Sequence, residues 1–268
     1  MSITNMARKN TTIDTAARLR RLRRDIIDMA EHSSHVAVAL SCVDLLAALY
    51  FRVLRPEDHF ILSKGHGAMA LYAVLAELGK IDRAELSTYG KDGSLLAEHP
   101  LAGKVPGVEF AAGSLGHGLA VAAGMAKGLK LSGSTGRVYV LLGDGECDEG
   151  TVWEAAGVAR AQGLNNLTAL VDWNGFQACG ATHTISNGIR LPDVWQGFGW
   201  SVETCDGHNL VELESSLSGD NPEQTPGVVL CKTTKGRGVS FMENDLEWHY
   251  RPVNGADRVA ALRELADA

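Results

Sequence analysis

The chain has no surplus of basic residues. Its 25 lysines and arginines are outnumbered by 32 aspartates and glutamates, giving a net charge of −7. That balance excludes nucleic acid as a general partner, because phosphate backbones are held by a basic face. The basic run Arg18, Arg20, Arg21, Arg23 and Arg24 falls on an expected helix and reads as a solvated face or a contact between subunits. No C-x-x-C pair occurs among Cys42, Cys147, Cys179, Cys205 and Cys231. An odd, scattered set argues against a disulfide framework and fits free thiols in a reducing cytoplasm. No apolar stretch is expected to reach the roughly 18 residues of a membrane span. Met1 to Thr15 lacks the apolar core of a signal peptide, so a cytoplasmic protein with no membrane partner is expected. Internal repeats, low-complexity tracts and linkers are absent as well. A loose polar segment over residues 1–12 and a single domain over 13–268 are the expected organisation.

What is present is 45% hydrophobic residues and 30 glycines over 268 positions, enough for one sizeable buried core. Helical patterns run over about residues 15–31, 43–52, 67–78 and 115–131, with a loop rich in glycine and proline over about 88–112. Short apolar runs at Val138–Leu142, Leu167–Val171, Trp200–Thr204 and Val228–Cys231 alternate with helices. That alternation predicts an α/β fold, a parallel sheet with helices on both faces.

The segment Gly143-Asp144-Gly145 ends one apolar run and leads into a helix around Trp153-Glu154-Ala155-Ala156. A strand, a glycine turn and a helix N-terminus form a place for phosphate, since unpaired N–H groups point at the ligand. Yet the turn carries a carboxylate, which repels a bare phosphate. A divalent cation between Asp144 and the phosphates removes the conflict, because Mg²⁺ takes one or two protein oxygens plus phosphate oxygens and water. Asn174 offers an amide oxygen to the same ion, and the backbone carbonyl of Phe176 another. A Rossmann dinucleotide site fails here: Asp148 stands where the third glycine belongs,. Zinc fails too, since no Cys or Glu pattern completes a set with His32 and His35.

A G-D-G turn followed about thirty residues later by Asp172-Trp173-Asn174 resembles the pattern of thiamine-diphosphate enzymes. Four ordered blocks narrow the likeness to transketolases: Leu62 to Gly67, Gly113 to Gly118, Gly143-Asp144-Gly145 with Glu149-Gly150, and Lys232 to Gly238 with Trp248-His249. The resemblance covers nearly the whole chain and implies the pyrophosphate-domain fold. It implies thiamine diphosphate with Mg²⁺, Ca²⁺ or Mn²⁺ held by Asp144, Asn174 and Phe176. Cofactor contacts are implied for His66, Gly113, Ser114, Leu115, Gly145, Glu149, Asn174, Lys235 and His249. His35, His66, His99 and His249 are the implied catalytic histidines, and imidazole suits proton transfers on sugar hydroxyls near neutral pH. The family's usual residues give way to Val36-Ala37 after His35, to Glu98 before His99, to His117, and to Tyr250 after the Trp-His pair.

Transketolases bind their cofactor between two domains, and every matched block belongs to the first. About twenty residues follow His249, too few for another α/β domain. The resemblance therefore implies the N-terminal subunit of a split transketolase, paired with a C-terminal subunit in an α2β2 assembly. It would move a two-carbon ketol unit from a ketose phosphate to an aldose. A specialised ketol or acyl transfer, or a non-catalytic regulatory role, stands as the alternative.

Overall fold

Side chains along a β-strand alternate between its two faces, and here each face has its own helical cover. The computed structural model describes residues 15–186 and 190–267. The segment expected to be loose lies outside the described residues. Helices α1 (Thr15–Met29) and α2 (Val36–Ala48) precede strand β1 (His59–Leu62) and helix α3 (Ala68–Glu77). Helix α4 (His117–Leu131), β2 (Val138–Gly143), α5 (Gly150–Ala161) and β3 (Leu167–Trp173) follow. A small hairpin, β4 (Phe176–Gln177) and β5 (Gly180–Ala181), runs into the short α6 (Thr182–Ile185) and α7 (Leu191–Gly197). The described chain closes with β6 (Ser201–Asp206), α8 (Leu210–Ser218), β7 (Gly227–Lys232) and α9 (Gly255–Asp267).

Five strands form one sheet in the order β1-β2-β3-β7-β6, and every neighbouring pair is parallel. Phe60, Leu62, Tyr139, Leu141, Leu170, Val229 and Cys231 join α1, α2 and α3 in one core. Their alternates Ile61, Val138, Val140, Leu142, Ala169, Val171, Val228 and Leu230 join α4, α5 and α7 in a second. Strands buried on both faces lose the polar alternation of half-exposed ones. This is why they read in the sequence as continuous apolar runs.

Two expectations need correction, and one strand was missed. The helix expected from Val43 begins at Val36, because His35 turns the chain with φ 72° before it. Every residue of α2 is buried, so no amphipathic period marks its start. Together with a wider turn at Leu49–Val53, this helix gives an 18-residue stretch apolar enough to cross a membrane. Its burial under α1, α3 and α8 marks it instead as an internal helix of the fold. The strand β1, only four residues long, had no pattern of its own; its pairing with β2 from His59↔Val138 to Leu62↔Leu141 defines it.

Leu170 is fully buried in the central strand and Val211 is 70% exposed on α8. Leu170→Ala is expected to lower unfolding stability by about 2–5 kcal/mol. Val211→Ala is expected to stay within about 0.5 kcal/mol. Urea unfolding checks both, and equal effects would contradict this packing.

Candidate active site

In a parallel sheet all carboxyl ends open on one edge, where ligands bind. Ser63-Lys64 follows β1, Asp144 follows β2, Asn174 follows β3 and Thr233 follows β7. Their meeting point is Asp172, paired in register with Gly143 on one side and Cys231 on the other. It is wholly buried. Its carboxylate accepts from the Lys64 ammonium and the Thr233 hydroxyl, and from Ser41 Oγ at 2.6 Å. Burial alone would raise the Asp172 carboxyl, but the Lys64 charge and the hydrogen bonds from Lys64, Ser41 and Thr233 together hold it below the usual range. Burial would likewise lower the Lys64 amine, and Asp172, with Cys42 and Asp144, more than restores it. Both groups are therefore charged at neutral pH. Neither was expected as a site residue, although both lie inside the matched motifs.

Asp144 has a different environment. Only 2% exposed, it accepts from Gly145 N at 2.9 Å, Gly175 N at 2.8 Å and Thr182 Oγ1 at 3.1 Å. These donors are neutral. Burial, reinforced by the nearby Asp172 charge, pushes its carboxyl up to about 6. Asn174 stands beside it with its amide orientation fixed. Nδ2 donates to Asp172 Oδ2 and Ser41 Oγ, each at 3.3 Å, and Oδ1 accepts from Phe176 N at 3.0 Å. A buried carboxylate hydrogen-bonded to no ammonium, in the turn that Gly175 N joins to the oriented Asn174 amide, fits a hard divalent cation,. Among the described residues no three His, Cys, Asp or Glu side chains converge as a metal set. Remaining ligands must then come from a bound molecule's own oxygens and water.

Glycines let the motif blocks touch. A Cβ on Gly65 would lie 2.8 Å from Ala112 Cβ, and one on Gly118 would lie 2.4 Å from Ser63. The first contact seats the Gly113–Leu115 segment against the Gly65-His66 turn. Glu146, which no motif pointed to, ties the same blocks together. It accepts from Ser63 Oγ, from Gly116 N at 2.8 Å and from Gly143 N at 3.1 Å. Burial raises its carboxyl despite these donors. Glu149, by contrast, is exposed at the start of α5, with its Cβ against the Gly116 turn. His117 is also exposed, its Nδ1 3.2 Å from Leu115 O.

The structure brings His35, His66, His99 and His249 together from four separate segments. The His35 ring centre is 5.5 Å from His66, 5.2 Å from His249 and 6.1 Å from His99. His66 and His249 stack at 5.9 Å. His35 N donates to His249 O at 2.9 Å, joining the start of α2 to the Trp248-His249 turn. Burial, then the charge of Lys235, lowers His249 to about 3. Burial and Lys64 pull His66 well below its ordinary value, and burial with His99 lowers His35. His35, His66 and His249 are thus neutral at pH 7. The Lys235 ammonium donates to His249 Nδ1 at 2.8 Å and lies 5.8 Å from the Phe176 ring. Burial and repulsion from Lys64 bring Lys235 down to about 8. His35 Nδ1 is buried with no hydrogen-bond partner, an unmet polar atom of the kind a ligand satisfies. Tyr250 lies at the rim, 60% exposed, its ring 4.6 Å from His249 and 5.7 Å from His35.

The raised Asp144 value carries a sign. Its folded value of about 6 exceeds the ordinary 3.8, so the folded chain holds this proton more tightly. The resulting stabilisation is full below the unfolded value and is lost as pH rises through about 6,. In metal-free buffer, the melting temperature of the natural chain is expected to fall relative to Asp144→Asn between about pH 4 and about pH 7. Parallel melting profiles would show that this carboxyl is not displaced.

Residues 11–266 match the family described as transketolase, thiamine diphosphate binding domain. An apulose-4-phosphate transketolase subunit from Actinobacillus succinogenes is 42% identical over 258 residues, covering 92% of this chain and 94% of that protein. The 6-deoxy-6-sulfo-D-fructose transketolase subunit SqwG of a Clostridium strain is 39% identical over 241 residues, covering 86% and 88%. The crystal structure of Campylobacter jejuni transketolase superposes with a TM-score of 0.82 at 27% identity, over 94% of this chain. The match spans only 42% of that longer transketolase. The sheet, the Asp144 turn and the gathered histidines thus agree with the comparisons: the chain belongs to the transketolase family and comprises its thiamine diphosphate binding domain.

Proposed function

We propose that this chain is the diphosphate-holding subunit of a two-chain transketolase. The observation that carries it is the pairing of a cation-ready carboxylate, Asp144, with a wall of neutral histidines on one sheet edge. Thiamine diphosphate, when bound, supplies the centre that stabilises the carbanion formed as a carbon–carbon bond breaks or forms. Asp144, the Asn174 amide oxygen and the Phe176 carbonyl hold Mg²⁺, or Ca²⁺ or Mn²⁺. The Gly113-Ser114-Leu115 and Gly145 backbones, His66, Lys235 and His249 face the diphosphate. Bringing that anion beside Lys235 and His249 draws both toward their charged forms. His35, His66, His99 and His249 orient the sugar hydroxyls. The neutral rings of His35, His66 and His249 accept a proton where a hydroxyl loses one,. The lowered values of His35, His66 and His249 amend the simpler expectation of imidazoles poised at neutrality: these bases become effective as the ligand's negative charge arrives.

A C-terminal transketolase subunit supplies the other wall, in an α2β2 assembly in the cytoplasm. Relatives of similar length that are themselves named as transketolase subunits support a second chain. The reaction is transfer of a two-carbon ketol unit from a ketose phosphate to an aldose. The similarity to subunits named for apulose-4-phosphate and 6-deoxy-6-sulfo-D-fructose favours, as a second reading, a specialised sugar donor in catabolism.

Calorimetry of thiamine diphosphate with Mg²⁺, in the presence of the partner chain, tests the site. Asp144→Ala is expected to weaken binding by about 100-fold, and undiminished affinity would sink the cation bridge. The purified chain alone is expected to transfer no ketol groups. A normal rate from it alone would end the two-chain reading.

A further inference from the structure

One buried acid–imidazole pair lies outside all four motif blocks. Asp44, 1% exposed, is the one charged residue of the buried α2. Its two oxygens accept from Arg23 Nη2 at 2.9 and 2.6 Å. Its Oδ2 also lies 2.7 Å from Nδ1 of His208. On the far side of the ring, His208 Nε2 accepts the backbone N–H of Thr234 at 2.8 Å.

The proton positions follow from valence. A backbone N–H can only donate, so Nε2 presents its lone pair and the proton sits on Nδ1, donated to Asp44. An imidazolium, or the other neutral tautomer, would point an N–H at the Thr234 N–H. Asp44 therefore selects one form of His208, and His208 fixes one peptide. The same carboxylate orients Arg23, whose Nε donates to Arg237 O at 3.3 Å. Gly236 N, in the same loop beyond the end of β7, donates to Ala37 O at 2.9 Å on α2.

The segment held this way is the one that carries Thr233 and Lys235. Thr233 grips Asp172, and Lys235 reaches His249. Both contacts depend on where the peptide between them lies.

We propose that the Asp44–His208 pair is a positioning relay: through the Thr234 N–H it sets the loop that presents Lys235 to an anionic ligand. It rests on the reading that this loop faces the diphosphate of thiamine diphosphate. His208 itself touches no ligand. It works by denying the loop a second conformation, since releasing it would leave a part-buried N–H without an acceptor.

Two measurements separate this relay from that reading. In the cofactor-free chain, ¹⁵N correlation of the His208 ring is expected to show a proton on Nδ1 and a bare Nε2. A proton on Nε2 would overturn the relay. Calorimetry with thiamine diphosphate and Mg²⁺, partner chain present, then compares His208→Ala with His208→Gln. The first loses the acceptor, and binding is expected to weaken about tenfold. The second can place Oε1 near the Nε2 position, and recovery of most of the affinity is expected. Natural affinity in both variants, with Asp144→Ala still defective, would overturn the relay and leave the cofactor reading intact. Unweakened binding in Asp144→Ala would instead remove the cofactor reading, while the ring tautomer still decides the relay.

Discussion

A carboxylate with no solvent exposure stands where β1, β3, β7 and α2 meet, and the ligand-facing edge depends on how it is neutralised. Removing one partner from a buried ion pair costs about 3–5 kcal/mol, because the other charge is left stranded. Asp172 therefore requires Lys64 from the end of β1, and the hydroxyls of Ser41 and Thr233 complete its shell. The ammonium committed to Asp172 is not hydrogen-bonded to Asp144. One acid of the pair becomes structural and ionised; the other keeps a raised proton affinity. The difference between them underlies the proposal of a cation at Asp144.

Much of this architecture could be read from the chain itself, in an uneven way. The runs ending at Leu142, Val171 and Cys231 announce strands, because both faces of a covered parallel sheet are apolar. The turn at Asp144 followed by Asn174 stands out because an acid beside a phosphate cradle calls for a cation, and the fold places the two segments side by side. Other features left no local trace. His59–Leu62 is too short to show a period, and α2 is buried all round, so its first turn is set by a contact with His249 O rather than by a pattern. His35, His66, His99 and His249 are far apart in number. Only the resemblance to a family linked them before the fold did. Glu146 reaches Gly116, 30 residues away, and Asp44 reaches His208, 164 residues away, relationships no spacing rule contains.

The two cores divide the labour of the sheet. One core is covered by α4, α5 and α7. The other core includes α2, whose two polar interruptions, Ser41 and Asp44, both reach the loop after β7: Ser41 through Thr233, Asp44 through His208. A wholly buried helix tolerates polar groups only where each is satisfied. The internal helix is thus also the support of the site.

His35 ends the story of that helix at its other extremity. A side chain with a Cβ held at φ 72° occupies a conformation that glycine adopts with less strain, by roughly 1 kcal/mol. Selection for a sturdier fold alone would replace it. The same exchange would erase the ring that sits among the other three histidines. A sequence optimised for stability would therefore drift toward a better-behaved protein with a gap in its histidine cluster. The presence of an imidazole at this turn measures how far usefulness, rather than durability, has shaped the chain.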